Sequence, residues 1–382
     1  MKKGILVIGG TGATGKHVLH AVAALLPDIP VSGTSRNPSS RAGKADLVRW
    51  DATAPEAEAR LRGYDLVISC LGPSSRFRDL VQKACLRAGV DCIDINDDFQ
   101  TASDIWKLRG AAAQKDVRLY ACMGMNPGLS TLLLFMLRQA MLGENPSASL
   151  QKASVCVLSG ADEDAGLAAT HTMLDCLAVQ SASLRGKRAA YVRADDSDAS
   201  AFVRFPGHGE RVFTAQCSSA EPALLENTSE YLASWPGLAE TPGEAVPPAS
   251  DVDYRMHFQG MPKARAGWLR SNTVFKTPER RQWLARLFLK MHHASRKKAG
   301  NMDRSILSVF GRHEGRRCAI AATGSTVFGM TAAFAAAVAR VHLQRRQDIP
   351  PGVHFAHPCW LAPSEILPLL RRLGVEVHYA AC

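Results

Sequence analysis

The chain has 382 residues, 46% of them hydrophobic and 21% charged, and its 46 Lys+Arg against 35 Asp+Glu give a net charge of +11. This length is roughly twice that of a typical domain, so two domains, or one domain with a large insertion, are expected. The composition excludes a largely disordered, collagen-like or coiled-coil chain.

The first third alternates strands and helices. Residues 4–10, an apolar run ended by glycines, read as a buried strand, and Lys16–Leu26 as a helix. Further strands are predicted at 30–34, 44–50, 65–71, 91–95 and 117–122, with helices at 79–88 and 101–115. Alternation at this spacing predicts a doubly wound parallel sheet with right-handed crossovers.

The pattern changes after Gly124. Asn126-Pro127-Gly128 signals a helix start, and 129–142 is a strongly apolar helix. Runs at 153–158, 189–193, 202–205, 211–216 and 251–258 read as strands, and Pro and Gly between some of them predict an antiparallel sheet. Residues 277–293 read as a basic amphipathic helix, 305–310 with 317–321 as a hairpin, 331–343 as an Ala-rich helix, and 363–373 as a last helix before a short strand. The uncharged stretch Cys318–Ala339 has the length of a membrane span, but its small and hydroxyl residues predict a loop and then a buried helix, with no membrane partner.

The charge excess is local. Residues 263–317 hold fifteen Lys/Arg and three Asp/Glu, a net of +12, so the rest is nearly neutral. No RNA- or DNA-reading motif accompanies it, and a solvated helix face is expected rather than a nucleic-acid site. The ten cysteines form no Cys-x-x-Cys, and several lie in apolar runs. They read as reduced core residues of a cytoplasmic protein. The apolar run after Met1-Lys2-Lys3 stops at Gly9, so no signal peptide is expected.

Chemistry enters at Gly9-Gly10-Thr11-Gly12-Ala13-Thr14-Gly15. This segment follows the first strand, opens the first helix, and satisfies G-x-G-x-x-G at positions 10, 12 and 15. Glycines there permit a tight turn, close approach of backbone to a pyrophosphate, and close helix–strand packing. The helix N-terminus adds N–H donors. At the end of the second strand an NAD enzyme carries a carboxylate for the ribose 2′-hydroxyl; here Ser35-Arg36 stand, with Arg41 nearby. A hydroxyl and a guanidinium suit a 2′-phosphate, so NADP(H) is the expected cofactor. Asp51 is an adenine-contact candidate or a cap.

Three further segments carry a resemblance: Cys70-Leu71-Gly72-Pro73, the stretch Ala84–Asp94, and Gly124-Met125-Asn126-Pro127-Gly128-Leu129-Ser130. With the glycine loop, they resemble the saccharopine dehydrogenase-like family, densely over residues 1–135 and again around Pro351–His354. The resemblance implies a Rossmann domain of residues 1–125 plus 323–382, its sheet completed by the C-terminal segment. It also implies an inserted α+β substrate and dimerisation domain of residues 126–322, and a homodimer. The implied activity is NADP-dependent hydride transfer at the carbon of a C–N bond, joining an amino acid or polyamine to a carbonyl compound through an imine. The chain departs from the family at Ser74, Asn96-Asp97 and Ala168-Ala169-Thr170-His171.

Ligands of a doubly wound sheet sit at the carboxyl ends of its strands. Leu71, Gly72 and Pro73 are expected along the nicotinamide ribose. Asp97 and Asn126 are candidates for polar contacts near the reacting carbon, with loop capping as the alternative. Arg76 is a carboxylate-holding candidate or a surface arginine, and His171 a proton donor or a capping histidine. Asp162-Glu163-Asp164 would favour a polyamine; Arg76, Arg265 and Arg270 would favour a dicarboxylate. His354-x-x-His357-x-Cys359 lacks a fourth ligand, and no metal is expected. None of the six tyrosines has a lysine four residues on, which excludes Tyr-x-x-x-Lys reductase chemistry. A non-catalytic NADP-binding sensor or scaffold on the same fold is the alternative.

The cofactor assignment has a direct consequence. NADPH should bind about tenfold tighter than NADH, about 1.4 kcal/mol, and Arg36→Asp should reverse the preference. Equal affinities by calorimetry would contradict the role of Ser35 and Arg36.

Overall fold

The computed structural model describes residues 4–35, 46–51, 57–145, 147–160, 165–176, 180–197, 201–235, 246–257, 263–271, 278–296 and 304–380. The strands, in chain order, are β1 (Gly4–Ile8), β2 (Val31–Ser35), β3 (Asp46–Arg49), β4 (Tyr64–Ser69), β5 (Asp91–Asp94), β6 (Arg118–Tyr120), β7 (Leu150–Leu158), β8 (Gln180–Arg185) and β9 (Arg188–Arg193). Then come β10 (Phe202–Arg204), β11 (Arg211–Phe213), β12 (Ala215–Gln216), β13 (Ala249–His257), β14 (Ser305–His313), β15 (Arg316–Gly324), β16 (Gly352–His354) and β17 (Glu376–Ala380).

The first sheet has the order β16-β6-β5-β4-β1-β2-β3, and every pairing in it is parallel. Strand β1 is apolar throughout and buried at every residue, as a strand covered on both faces requires. From β1 the chain runs outward to β2 and β3 on one side. It returns to build β4, β5, β6 and finally β16 on the other. The crevice this reversal creates lies between the carboxyl ends of β1 and β4.

Helix Ala13–Leu25 buries Val18, Leu19, Val22 and Leu25 against the sheet. Helix Val327–Arg345 packs beside it, with Ala332 through Ala339 all buried. That helix is long and apolar enough to cross a membrane by composition. Its alanines instead allow close approach to its neighbours in this core. Thr326 caps it, accepting the Gly329 N–H at 2.9 Å. Strand β16 then joins β6, Gly352 opposite Arg118, so the C-terminal segment completes the sheet.

The second sheet has the order β17-β15-β14-β7-β13-β8-β9, with β12 added to β13. Helix Leu129–Leu142 is apolar on almost all sides and packs under β14, β15 and β7. Three features differ from the sequence reading. The sheet is mixed, because β7 and β13 pair in parallel; residues 159–248 separate these two strands, room for the crossover that parallel pairing needs. The last strand, β17, pairs with β15 rather than with the first sheet, so residues 323–382 do not all return to the first domain. The predicted helix 101–115 is two, Phe99–Lys107 and Arg109–Gln114. Cys70, Cys85, Cys92, Cys122, Cys156, Cys217 and Cys359 are free thiols, whereas Cys318 on β15 is disulfide-bonded. An apolar run around a cysteine carries no information about which other cysteine it meets.

The seam around β16 holds three buried histidines. His342 Nδ1 meets the Tyr120 hydroxyl at 2.8 Å, and His354 Nδ1 meets the Tyr231 hydroxyl at 3.2 Å. His354 Nε2 lies 2.7 Å from the Pro350 carbonyl, and His357 Nδ1 accepts the Cys359 N–H at 3.1 Å. Burial pushes His342 and His357 down to about 3 and His354 to about 4. The unfolded chain therefore binds these three protons at higher pH than the folded one. Their contribution to stability is complete above about pH 6.5 and is lost as pH falls toward the folded values. The buried carboxyls of Asp91, Asp94, Asp97 and Glu221, all raised by burial, act in the opposite sense. Substitution isolates the histidine part: between pH 7 and pH 5 the thermal midpoint of the parent protein should fall relative to that of His342→Asn. The same pH dependence in both proteins would contradict a depressed His342.

Candidate active site

The loop between β1 and helix Ala13–Leu25 is shaped by what its glycines lack. Gly9 has φ +79°, donates its N–H to Thr34 Oγ1 (3.0 Å), and accepts the Gly12 N–H (2.9 Å). A Cβ on Gly15 would lie 2.0 Å from the Gly9 carbonyl oxygen, and one on Gly9 would lie 2.8 Å from the Cys70 oxygen. These positions are glycine because neighbouring backbone fills the space. Gly12 differs: a Cβ there would meet only the Gly9 oxygen, at 3.2 Å, and the residue is exposed. Gly12 is also the N-cap, with no side-chain cap. The first-turn N–H groups around Ala13 and Thr14, with exposed Thr11 beside them, thus form an open cradle for an anion. The residues fit a dinucleotide pyrophosphate.

The flanking residues follow the same edge. Ser35 ends β2 in a buried position, its carbonyl accepting the Trp50 N–H at 3.1 Å. Asp51 is exposed just beyond β3. Arg36, Arg41 and residues 162–164 lie outside the described residues. Half-buried Leu71, Gly72 and Pro73 leave β4 beside Gly9. The Gly72–Pro73 and Asn126–Pro127 bonds are both cis.

The second domain covers this edge. A Cβ on Gly166 would be 3.4 Å from Ala13 Cβ, and one on Gly72 would be 3.2 Å from Ala168 Cβ. Ser75 Oγ donates to Asp175 Oδ2 at 3.0 Å. Helix Leu167–Cys176 therefore lies over the carboxyl ends of the first sheet. Its Ala168, His171 and Asp175 are three and four residues apart, hence on one face.

Between these layers the carboxyl end of β5 carries acids with few cations. Asp94 accepts the Asn96 N–H at 2.8 Å and a bond from Gln82; burial nevertheless raises its carboxyl to about 6. Burial raises Asp97 to about 7, with the charges of Asp98, Asp175 and Asp94 adding to the effect. Asp97 thus senses carboxylates from both domains. Asp98 caps helix Phe99–Lys107 through the Thr101 N–H (2.8 Å).

Asn126 follows the end of β6. Asn96 Nδ2 lies 3.2 Å from Cys122 Sγ, and the Met123 N–H bonds the Asp94 carbonyl at 2.6 Å, which ties the β5 and β6 ends together. Asn126 is half-buried, and its Oδ1 accepts from Ser130 Oγ at 3.2 Å.

The cationic candidates fare differently. Arg76 is exposed on the turn Ser74–Phe77, its guanidinium 5.3 Å from the Phe77 ring. Arg270 pairs with Asp196 at 2.9 Å and bonds the Gln216 carbonyl, so it is engaged within the second domain. A dicarboxylate reading loses that anchor.

Ser75, Asp175, Tyr191 and Glu221 were not singled out by sequence reasoning. Tyr191 on β9 meets Phe99 edge-on at 5.2 Å, and burial together with the Asp98 charge raises its phenol. Only Asp175 left a signal, its helical spacing from His171. The other three reach the site by tertiary contact.

Residues 5–119 match the saccharopine dehydrogenase NADP binding domain family. No curated protein matches the chain. Among solved structures, apo saccharopine dehydrogenase (L-Glu forming) from Saccharomyces cerevisiae is similar at 14% identity, with a TM-score of 0.61 over 99% of this chain and 100% of that one; the two share a fold. C. glutamicum DAP dehydrogenase in complex with DAP is similar at 14% identity, with a TM-score of 0.49 over 95% and 97% of the two chains.

Gly12→Ala should leave the thermal midpoint nearly unchanged and weaken NADPH binding at least about tenfold, because the methyl occupies the cradle rather than the core. Unchanged affinity by calorimetry would remove Gly12 from the phosphate site. Residues 5–119 match the saccharopine dehydrogenase NADP binding domain family, and the chain as a whole shares the fold of saccharopine dehydrogenase.

Proposed function

We propose that the protein reduces an imine formed from an amine or amino acid and a carbonyl compound, in the cleft between the glycine loop and helix Leu167–Cys176. The observation that carries this reading is Asp97, a carboxyl at the carboxyl edge of the first sheet that holds its proton to about pH 7. Reducing a C=N bond needs a hydride on carbon and a proton on nitrogen. Bound NADPH supplies the hydride.

The remaining work falls to side chains. The backbone of Gly9 to Gly15 holds the pyrophosphate, Ser35 with Arg36 and Arg41 holds the 2′-phosphate, and Asp51 flanks the adenine. Leu71, Gly72 and Pro73 line the nicotinamide ribose, where little side chain stands in the way. Asp97 gives the proton to the imine nitrogen; neutral before transfer and anionic after it, it pairs with the iminium that the hydride then converts to the neutral amine. Asn126 orients the substrate by hydrogen bonding. His171, on the covering face with Ala168 and Asp175, is a second proton-holding group. Arg76 holds a substrate carboxylate at the rim. Asp98 and Asp175 favour a positively charged amine on the same side. Helix Leu167–Cys176 excludes water from the reacting atoms.

Asp97→Ala or Asn126→Ala should lower the reduction rate about a hundredfold while NADPH affinity barely changes. The acid form of Asp97 is lost as pH rises through about 7, so the rate should fall above that pH and the fall should vanish in Asp97→Asn. NADPH oxidation across a matrix of carbonyl compounds and amines measures all three. Full activity in both alanine variants would remove these residues from the mechanism, and turnover of a carbonyl compound with no amine present would remove the imine.

A further inference from the structure

Glu221 is fully buried, at the start of the short helix Pro222–Leu225. Its Oε1 is bonded to Ser130 Oγ, and also accepts from Thr131 Oγ1 at 2.6 Å. Ser130 and Thr131 lie in the first turn of helix Leu129–Leu142, and the same Ser130 Oγ reaches Asn126 Oδ1. The other groups facing the carboxyl are the Tyr254 hydroxyl from β13 and the buried Cys122 thiol after β6. Glu221 Oε2 and the Tyr254 hydroxyl have no partner at full hydrogen-bond geometry, although the approach of that hydroxyl lowers the carboxyl. Among the described residues no cation acts on the Glu221 carboxyl itself.

A serine hydroxyl has one proton to donate. If Glu221 is ionised, that proton goes to the carboxylate, and Asn126 Oδ1 faces only a lone pair. If Glu221 is the neutral acid, Oε1–H donates to Ser130 Oγ, and the Ser130 proton is free to bond Asn126 Oδ1. Only the second arrangement satisfies both contacts of Ser130 with Asn126 in the orientation it has. We propose that Glu221 is a positioning residue: as the neutral acid it donates to Ser130, which donates to Asn126, and the chain turns Asn126 Nδ2 away from Ser130 as a donor toward the cleft. Burial acts in the same direction, raising the carboxyl, against the bonds from Ser130, Thr131 and the Tyr254 hydroxyl. The role in turnover rests on the reading of Asn126 given above; the protonation of Glu221 does not.

The test therefore has two arms on the full-length protein. In the first, the infrared difference between wild type and Glu221→Gln at neutral pH should contain a protonated-carboxyl C=O band assignable to Glu221. Should Glu221→Gln fail to fold, the difference between wild type and Ser130→Ala should show that band shifted, since the acid loses its acceptor. No such band in either difference means an ionised Glu221 and overturns the proposal, whether or not any substrate is turned over.

The second arm uses NADPH with the amine and carbonyl pair that turns over fastest. Glu221→Gln, whose amide still donates to Ser130, should stay within about threefold of wild type. Glu221→Met and Ser130→Ala should each lose about tenfold to a hundredfold in kcat, with NADPH affinity unchanged. In an Asn126→Ala background Glu221→Met should cost nothing further. Loss in Glu221→Gln equal to that in Glu221→Met, or additive losses in the Asn126→Ala background, would overturn the positioning role.

Discussion

The structure depends on one steric constraint: Gly15 sits so close to the Gly9 carbonyl that no side chain fits between them. This contact clamps the start of the first helix to the end of β1. It aims the unpaired N–H groups of that helix at the space above Gly12, where the chain leaves room for an anion. The clamped helix then sets the position of helix Val327–Arg345, which packs alongside it and feeds β16 into the sheet. Gly9 is also tight against Cys70, so the loop after β4 is drawn to the same crevice. The cradle and the Leu71–Pro73 wall are thus two results of the same backbone packing.

The opposite wall has another origin. Asp94, Asp97 and Asp98 crowd one strand end, and Asp175 approaches from the second domain. Like charges at partly buried positions destabilise a fold through desolvation and mutual repulsion. The chain relieves this by letting Asp97 keep its proton near neutrality instead of by placing cations beside it. Arg270, a cation in the second domain, is committed to Asp196. Perturbed acids concentrated in a cleft beside a nucleotide loop are a pattern more typical of reaction chemistry than of structural ion pairing.

How much of this was legible in the sequence follows from the range of the interactions involved. Strands β1 to β6 and the glycine loop could be read because apolar runs and glycine spacing are local signals. The apolar helix Leu129–Leu142 was likewise read with its observed bounds. Strand β8, Gln-Ser-Ala-Ser-Leu-Arg, was missed because its buried serines hide the apolar pattern. The parallel pairing of β7 with β13 and the placement of β17 were missed because pairing across long separations leaves no local mark. In the site, Asp97 and Asn126 follow from their place after strand ends, whereas Tyr191 and Glu221 meet the first domain only once the second has folded. The basic excess of residues 263–317 includes exposed Arg280, Arg286 and Lys290 around exposed Trp283, apart from the acidic cleft in sequence and in charge.

The central claim is that a hydride from NADPH reaches the carbon of a C–N bond in this cleft. Transfer of deuterium from NADPH labelled at the transferable position of the nicotinamide, read by mass spectrometry of the product, tests it most directly. The account predicts one deuterium on the carbon bonded to nitrogen in a secondary amine built from the supplied amine and carbonyl compound. Deuterium in an alcohol instead, or unlabelled product, would contradict it.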